Sequence, residues 1–204
     1  MIAYEKRQII LSEGQPVEVF DTSGLFLFKT NAIIGRATKT GQTEVSFEAH
    51  RKIQIIPDYD VPNGVTIKVI TSKETFLAIA TMVETYKGEK LATSIRMVET
   101  NANVTVTGTS ETADENGNVF SAPVTKADNQ PIHIQTVNAE LKQYMQGILP
   151  NVQYLIYIPA IDLELLDKVT VHSVGRNIKV KVENIDYLSF PGLALLQVST
   201  ETRV

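Results

Sequence analysis

Apolar and polar residues alternate with period two through most of the chain. The clearest runs are Val65, Ile67 and Val69; Phe76, Ala78 and Ala80; Val169 and Val171; and Ile178, Val180 and Val182. Alternation in segments rich in Val, Ile and Thr predicts short strands with one buried face. Turn-forming pairs separate the runs at Ser23-Gly24, Thr40-Gly41, Asn63-Gly64, Lys87-Gly88 and Pro191-Gly192. Many short strands with regular turns predict a mainly β protein built as small barrels or sandwiches.

One segment has a helical pattern, from about Asn138 to Gln146. Asn138 is suited to cap the first turn, the residues that follow are good helix formers, and Gly147 is suited to end the helix. The sequence therefore predicts a single short helix in a β-rich chain.

Two stretches of the chain resemble each other at one constant offset. The stretch from Ile53 to Ala80 aligns with that from Leu155 to Val182, so that Pro57 falls on Pro159 and Ile67 on Val169. Each copy ends in a further apolar strand, Ile95 to Val98 and Leu193 to Val198. This pattern predicts a duplicated β unit, although alternation alone also lets unrelated β segments align loosely.

The segment 107–131 between the copies is polar, contains Pro123 and Pro131, and is longer than an ordinary connection. It is either an arm or linker, or a long hairpin that turns at Asn116-Gly117. The predicted organisation is an N-terminal β module over 1–106, the polar arm or extended hairpin over 107–131, and a C-terminal β module over 132–204 that contains the helix 138–146.

Size and charge limit the class of protein. The chain has 204 residues, 43% of them hydrophobic, no cysteine and a formal net charge of -4. This composition supports a packed core and excludes a disulfide framework or a cysteine-ligated metal. No apolar run approaches the ~20 residues that cross a bilayer, and Met1 to Leu11 lacks a signal-peptide core, so we expect a soluble protein. The mixed, slightly acidic charge disfavours tight nucleic-acid binding.

Residue patterns for catalysis and metal binding are missing from the sequence. His50, His133 and His172 lie far apart, with no spacing that presents two imidazoles to one metal. No nucleophile elbow, phosphate-binding loop or dinucleotide fingerprint occurs. We therefore predict no catalytic, cofactor-binding or metal-binding residues and a protein that is not an enzyme.

Two acidic stretches look superficially like calcium loops. In 58–64, which begins at Asp58, the glycine comes one residue late and Val69 stands where a bidentate glutamate is needed; 114–118 also lacks its closing acid. Both are interpreted as polar turns between strands.

The C-terminal copy resembles the head-to-tail connector proteins of tailed bacteriophages, also called head-closure or neck proteins. The resemblance rests on Tyr154 to Pro159, the strands at Asp167–Val171 and Asn177–Val182, and the closing Pro191-Gly192 followed by Leu193–Val198. The first copy, from Asn63 to Met97, is similar, with Gly88 near the Pro-Gly position.

This resemblance implies a small β-barrel and a virion protein assembled in the host cytoplasm. It implies a homo-oligomeric ring between the portal or adaptor protein and the tail proteins. DNA passes through this ring without sequence-specific binding, and no membrane is among the implied partners. Open strand edges would join neighbouring subunits, and the 107–131 arm would reach an adjoining ring or line the channel. The alternatives are another tail or baseplate component, or a monomeric ligand-binding β module.

Overall fold

The computed structural model describes residues 2–36, 50–113, 118–145 and 147–201. The chain divides into two compact units. Unit 1 consists of Met1–Thr100 and Tyr187–Leu193, and unit 2 consists of Asn101–Asp186 and Ala194–Val204. The segment 107–131 belongs to unit 2, where it forms parts of two paired strands.

The first barrel is formed by six antiparallel strands in the order β1-β2-β3-β6-β5-β4, closed by the pairing of β1 with β4. Its strands are β1 (Gln15–Phe20), β2 (Phe26–Arg36), β3 (His50–Ile55), β4 (Thr66–Val69), β5 (Thr75–Tyr86) and β6 (Glu89–Glu99). The helix α1 (Ile2–Glu13) precedes β1 and packs on β6 and β2.

The second barrel contains β7 (Ala102–Ala113), β8 (Val119–Thr136), β9 (Tyr154–Pro159), β10 (Lys168–Ser173), β11 (Arg176–Asp186) and β12 (Leu193–Thr200). Its order is β7-β8-β9-β12-β11-β10, which is the order of the first barrel with every strand number raised by six. The predicted class, mainly β with two related barrel modules, is confirmed. The shared order is what a duplicated β unit would give.

Each barrel is filled by the alternating apolar side chains of its strands. Val17, Val19, Ile53, Ile55, Ile67, Phe76, Ile95 and Met97 are among those that fill the first, and Val104, Val106, Ile156, Ile158, Val169, Val171, Val180 and Val182 are among those that fill the second. Burial of each such side chain contributes about 1.5–3 kcal/mol. The predicted runs around Ile67 and Val169 therefore lie in the two cores.

Ala80 departs from the predicted alternation. The register of β5 against β6 shifts between Ala78 and Ala80, so one residue is left over in β5. A bulge of this kind reverses the face to which later side chains point. Ala78 is consequently in the core, whereas Ala80 is exposed.

The predicted helix is present as α2 (Ala139–Tyr144), and the Asn138 side chain accepts a hydrogen bond of 2.7 Å from the Leu141 backbone N–H. The helix ends earlier than the predicted 138–146: its last residue is Tyr144 and its C-cap is Met145, while Gly147 lies beyond the cap at a φ of +96°. The 12-residue helix α1 was not predicted, because its apolar residues are not confined to one face: Ile10 is buried, whereas Ile2, Tyr4, Ile9 and Leu11 are exposed.

Candidate assembly surfaces

The closed barrels change the expectation that open strand edges join subunits. Within each barrel every strand is paired on both sides, so the barrel body offers no edge. Open edges occur among the described residues where two hairpins extend past the strands that flank them. We call these the first arm, residues 80–91 in β5 and β6, and the second arm, residues 108–113 and 118–125 in β7 and β8.

The first arm begins where its flanking strands stop. β4 pairs with β5 only up to Leu77, and β3 pairs with β6 only from Thr93 onward. Beyond these positions β5 and β6 pair with each other out to Tyr86 opposite Glu89, and no other described strand pairs with them there. Lys87 and Gly88 form the turn at φ +48° and +83°, as a type I′ hairpin turn requires. Met82, Val83 and Tyr86 are exposed along this arm.

Glu84 fixes the first arm to α1 and to the barrel wall. Its carboxylate accepts hydrogen bonds from Lys6 of α1 at 3.0 Å, from Gln54 at 2.7 Å and from Lys52 at 3.2 Å. Burial alone would raise the pKa of Glu84, but the hydrogen bonds from Lys6, Gln54 and Lys52 outweigh it and lower the pKa from 4.5 to about 2. The ionised carboxylate is therefore the form that holds the helix on the arm.

We expect Glu84→Gln to lower the free energy of unfolding by about 1–2 kcal/mol at pH 7, because three charge-assisted or amide hydrogen bonds weaken together. The folded pKa of Glu84 lies below the ordinary value, so its stabilisation is complete above pH 4.5. It is lost as the pH falls from 4.5 towards 2. Thermal unfolding of both proteins from pH 7 to pH 2 should show their difference shrinking with acidification. Glu89→Gln, at an exposed glutamate on the same arm, is the matched control, and an equal effect there would contradict the assignment.

The second arm is longer than the barrel needs. The equivalent hairpin of unit 1 leaves β1 at Phe20 and enters β2 at Phe26, with Asp21 closing the turn by accepting a hydrogen bond from the Leu25 N–H at 2.8 Å. In unit 2, β7 and β8 continue past the barrel as a paired ribbon from Gly108 opposite Val124 to Ala113 opposite Val119. The ribbon is therefore an extension of the second barrel that the equivalent hairpin of the first barrel lacks.

The second arm is exposed on both of its faces. Phe120, Ala122 and Val124 share one face of β8, and Val119, Ser121 and Pro123 share the other, because successive strand residues point to opposite sides. All six are exposed, with 63% of Val119 and 56% of Phe120 accessible to solvent. Exposed apolar side chains on both faces are typical of a segment that another protein covers. The turn at Asn116-Gly117 lies outside the described residues.

A buried ion pair anchors the root of the second arm. Lys126 Nζ lies 3.1 Å from Asp167 Oδ2, and the Asp167 side chain is only 2% exposed. Asp167 Oδ2 also accepts a hydrogen bond from the Glu164 backbone N–H at 2.8 Å, and Glu164 Oε1 lies 3.9 Å from Lys126 Nζ. Gly108 lies directly beneath: a Cβ there would come within 2.5 Å of Lys126 Cε and 2.6 Å of Asp167 Oδ1. A side chain at Gly108 would therefore displace Lys126 or Asp167 from the ion pair where the arm leaves the barrel.

The three histidines lie in three different strands, β3, β8 and β10. His172 is held by Thr105 Oγ1 at 2.9 Å from Nε2 and by Asn177 Oδ1 at 2.9 Å from Nδ1, and His133 is buried with its ring tilted against Tyr157. His50 lies in β3. Among the described residues no group of three or more His, Cys, Asp or Glu side chains is arranged to hold a metal ion.

The acidic stretch at Asp58 forms a turn after β3, as interpreted from the sequence. The Asp58 carboxylate accepts two hydrogen bonds from the Arg7 guanidinium of α1, at 2.9 Å from Nη1 to Oδ1 and 2.5 Å from Nη2 to Oδ2. Asp58 therefore contributes to docking α1 on unit 1. The second acidic stretch, 114–118, lies outside the described residues except for Asn118.

An open groove of about 600 Å³ runs along the start of β9 in unit 2. Its lining includes Thr136, Lys142, Pro150, Gln153 and Tyr154. Lys142 Nζ donates to the Pro150 carbonyl at 2.7 Å, and the Gln153 side chain accepts from the Thr200 backbone N–H at 3.1 Å. The polar groups of Lys142 and Gln153 in the groove thus already hold α2 and β12 in place.

Comparison of the chain with protein-family models, curated proteins and solved structures finds no match. Within the described parts of the chain, no helix combines the length and the apolar character that a bilayer span requires.

The first arm and the root of the second arm were not recognised in the sequence. The strands β5 and β6 have ordinary strand patterns, and only the early ends of β3 and β4 make their tips protrude. The length of 107–131 was the signal for the second arm, but nothing in the local sequence around Gly108 reveals its contact with the distant Asp167.

Proposed function

We propose that this chain is a structural subunit of a tailed bacteriophage virion, a ring-forming head-to-tail connector or neck protein that joins the portal to the tail around the DNA channel. The chain acts by assembly with copies of itself and with neighbouring virion proteins. The DNA passes without sequence-specific binding.

Two features support this proposal beyond the sequence resemblance. Two barrels of the same strand order in one chain give two similar modules with which to contact successive neighbours. The net charge of -4 also suits a channel protein past which DNA slides, because like charges repel over roughly 10 Å at physiological salt.

The second arm is the observation that carries the proposal. It extends a barrel that closes without it, it is exposed on both faces, and its root is fixed by Lys126, Asp167 and Gly108. A rigidly rooted, two-stranded ribbon is only marginally stable in water by itself, so its stable form is expected to include a further strand or surface. A partner protein supplies that surface in the proposed assembly.

The test is a phage that encodes this chain with a nonsense codon near its start. Without the chain, we expect electron micrographs of lysates to show DNA-filled heads and complete tails that remain separate, and the purified protein to restore joining when added. Infectious particles that lack the chain would overturn the proposal. Joined heads and tails with a defective tail tip would overturn the neck position in favour of a baseplate component.

A further inference from the structure

The two arms differ in which of their edges can accept another strand. An exposed edge is a template for pairing with another chain, and proteins block unwanted edges with proline, lysine, bulges or short strands.

The β8 edge of the second arm is blocked at Pro123, which lacks the N–H that a further strand would need. Beyond the arm, Asn129 interrupts β8 at φ +48° and Pro131 lacks a second N–H. Proline in a strand is tolerated where its missing N–H faces away from the sheet. The β8 edge is thus built to remain unpaired.

The β7 edge of the same arm has none of these features from Thr109 to Ala113. β10 pairs with β7 no further than Thr107, so these five residues have a strand on one side only among the described residues. Pro123 lies opposite Thr109. Because proline has no N–H to donate to β7, these two residues form a non-hydrogen-bonded pair, whose backbone groups point away from each other. By the two-residue period the pair of Glu111 and Ser121 has the same character, and both residues direct their backbone N–H and C=O outward.

Among the described residues the first arm has one long open edge, on β5 from Ala80 to Tyr86. The register shift within this arm, between Glu84 and Thr85, leaves the extra residue Leu91 on β6 and not on β5. These seven residues contain no proline and include Thr81, Val83 and Thr85, which favour strands. Tyr86 and Glu89 flank a two-residue turn and exchange their hydrogen bonds, so Thr85 and Lys90 direct their backbone groups outward. The β6 edge is short, since β3 takes it up at Thr93, and Lys90 adds a charge to it.

We propose that the β5 edge of the first arm in one copy pairs with the β7 edge of the second arm in the next copy, as a continuous β-sheet across the subunit boundary. The occupant of each open edge is therefore a second copy of this chain. The inference rests on the proposed function, because it names the contact that would build the ring. Two different surfaces of one chain then meet head to tail, the arrangement that closes into rings.

Self-pairing of identical edges fits less well. Two antiparallel β7 edges centred on Glu111 would place one carboxylate directly opposite another, which is destabilising. Such two-fold contacts would also stop at a dimer. Pairing of β7 with β5 avoids the repulsion. It leaves an unused β7 edge on one copy and an unused β5 edge on the other, so further copies can add.

Proline substitutions on opposite edges test the proposal with matched controls. In the purified full-length chain, Glu111→Pro and Thr85→Pro remove outward N–H groups from the proposed edges. Each is expected to weaken self-association at least tenfold by sedimentation velocity. Ser121 is the cross-strand partner of Glu111, and Lys90 is that of Thr85. Ser121→Pro and Lys90→Pro therefore remove an outward N–H from the opposite edge of each arm, and should leave self-association unchanged. Weakening by the two controls alone, or a wild-type chain that stays monomeric at micromolar concentration, would overturn the proposal.

Cross-linking keeps the test decisive if a proline variant unfolds its arm. The chain has no cysteine, so single cysteines can be placed at will. A mixture of Thr85→Cys and Glu111→Cys proteins treated with a short bis-maleimide should yield dimers that contain one chain of each, and neither variant alone should do so. Dimers of Glu111→Cys alone, or of Thr85→Cys with Ser121→Cys at equal yield, would contradict the pairing.

The outcomes separate this inference from the proposed function. Edge-dependent rings in solution, together with virions that need no copy of the chain, would refute the proposed function and leave the pairing standing. A chain required for head–tail joining whose association ignores Glu111→Pro and Thr85→Pro would refute the pairing alone.

Discussion

Replacement of Gly64 by alanine is expected to lower the free energy of unfolding of unit 1 by about 2–4 kcal/mol, for two separate reasons. Gly64 has a φ of +82°, which residues with a side chain rarely adopt. A Cβ at this position would also run into the backbone carbonyl of Gly192, which belongs to the same unit. The Gly64 N–H meanwhile donates to the Ala78 carbonyl at 2.9 Å, so the turn cannot move away without loss of a bond to β5.

Gly24→Ala separates the two contributions. Gly24 lies in unit 1 at nearly the same φ, +85°, but a Cβ there would meet nothing within 4 Å. It should therefore cost only the backbone term, about 1 kcal/mol. Chemical denaturation of both variants measures the difference. Equal losses in the two variants would show that the approach of Gly192 contributes nothing.

This pair of glycines shows how far the sequence could predict the fold. Asn63-Gly64 and Pro191-Gly192 were both interpreted as turns, since local chemistry determines which residues tolerate positive φ. Nothing local indicates that the two turns lie against each other in unit 1. That contact depends on residues far apart in the chain, and a single sequence carries no signal for it.

The strands were predicted for the same local reason. Alternation identified the segments around Ile67 and Val169 because each strand of a barrel has one face towards solvent and one towards the core. Bulges are invisible to that argument, so the exposed position of Ala80 was missed. The helix α1 was missed because its apolar residues are spread around the helix and not confined to the face that is buried. The helix is held in addition by polar contacts such as that of Arg7 with Asp58.

The candidate surfaces were only half predictable. The length and polarity of 107–131 indicated an arm or a hairpin, and the open edges were expected to join subunits. Closure of the barrels confines those edges to the two arms, and closure depends on the pairing of β1 with β4 and of β7 with β10. Once the pairing is known, Pro123 in the sequence indicates that the β8 edge of the second arm is the one that cannot accept a further strand.

The largest electrostatic effect is expected at the root of the second arm, where Asp167→Ala should destabilise unit 2 by about 3 kcal/mol. Removal of one partner of a buried pair typically costs ~3–5 kcal/mol. Here Glu164 Oε1, 3.9 Å from Lys126 Nζ, still compensates part of the charge. The lower end applies because Lys126 keeps 15% of its side chain exposed. The same substitution also removes the acceptor for the Glu164 backbone N–H.

Three further measurements tie this effect to the ion pair. Burial alone would lower the pKa of Lys126, but Asp167 outweighs it and raises the pKa. The contribution of the pair is therefore complete below pH 10.5 and lost as the pH rises through the raised value. Asp162→Ala removes an exposed acid of the same loop that acts on Lys126 by charge alone, and should change stability by less than about 0.5 kcal/mol. Adding Lys126→Met to Asp167→Ala should recover part of the lost stability, because the ammonium that lost its buried partner is then gone. If the double variant loses as much stability as the two single variants together, the two groups do not interact.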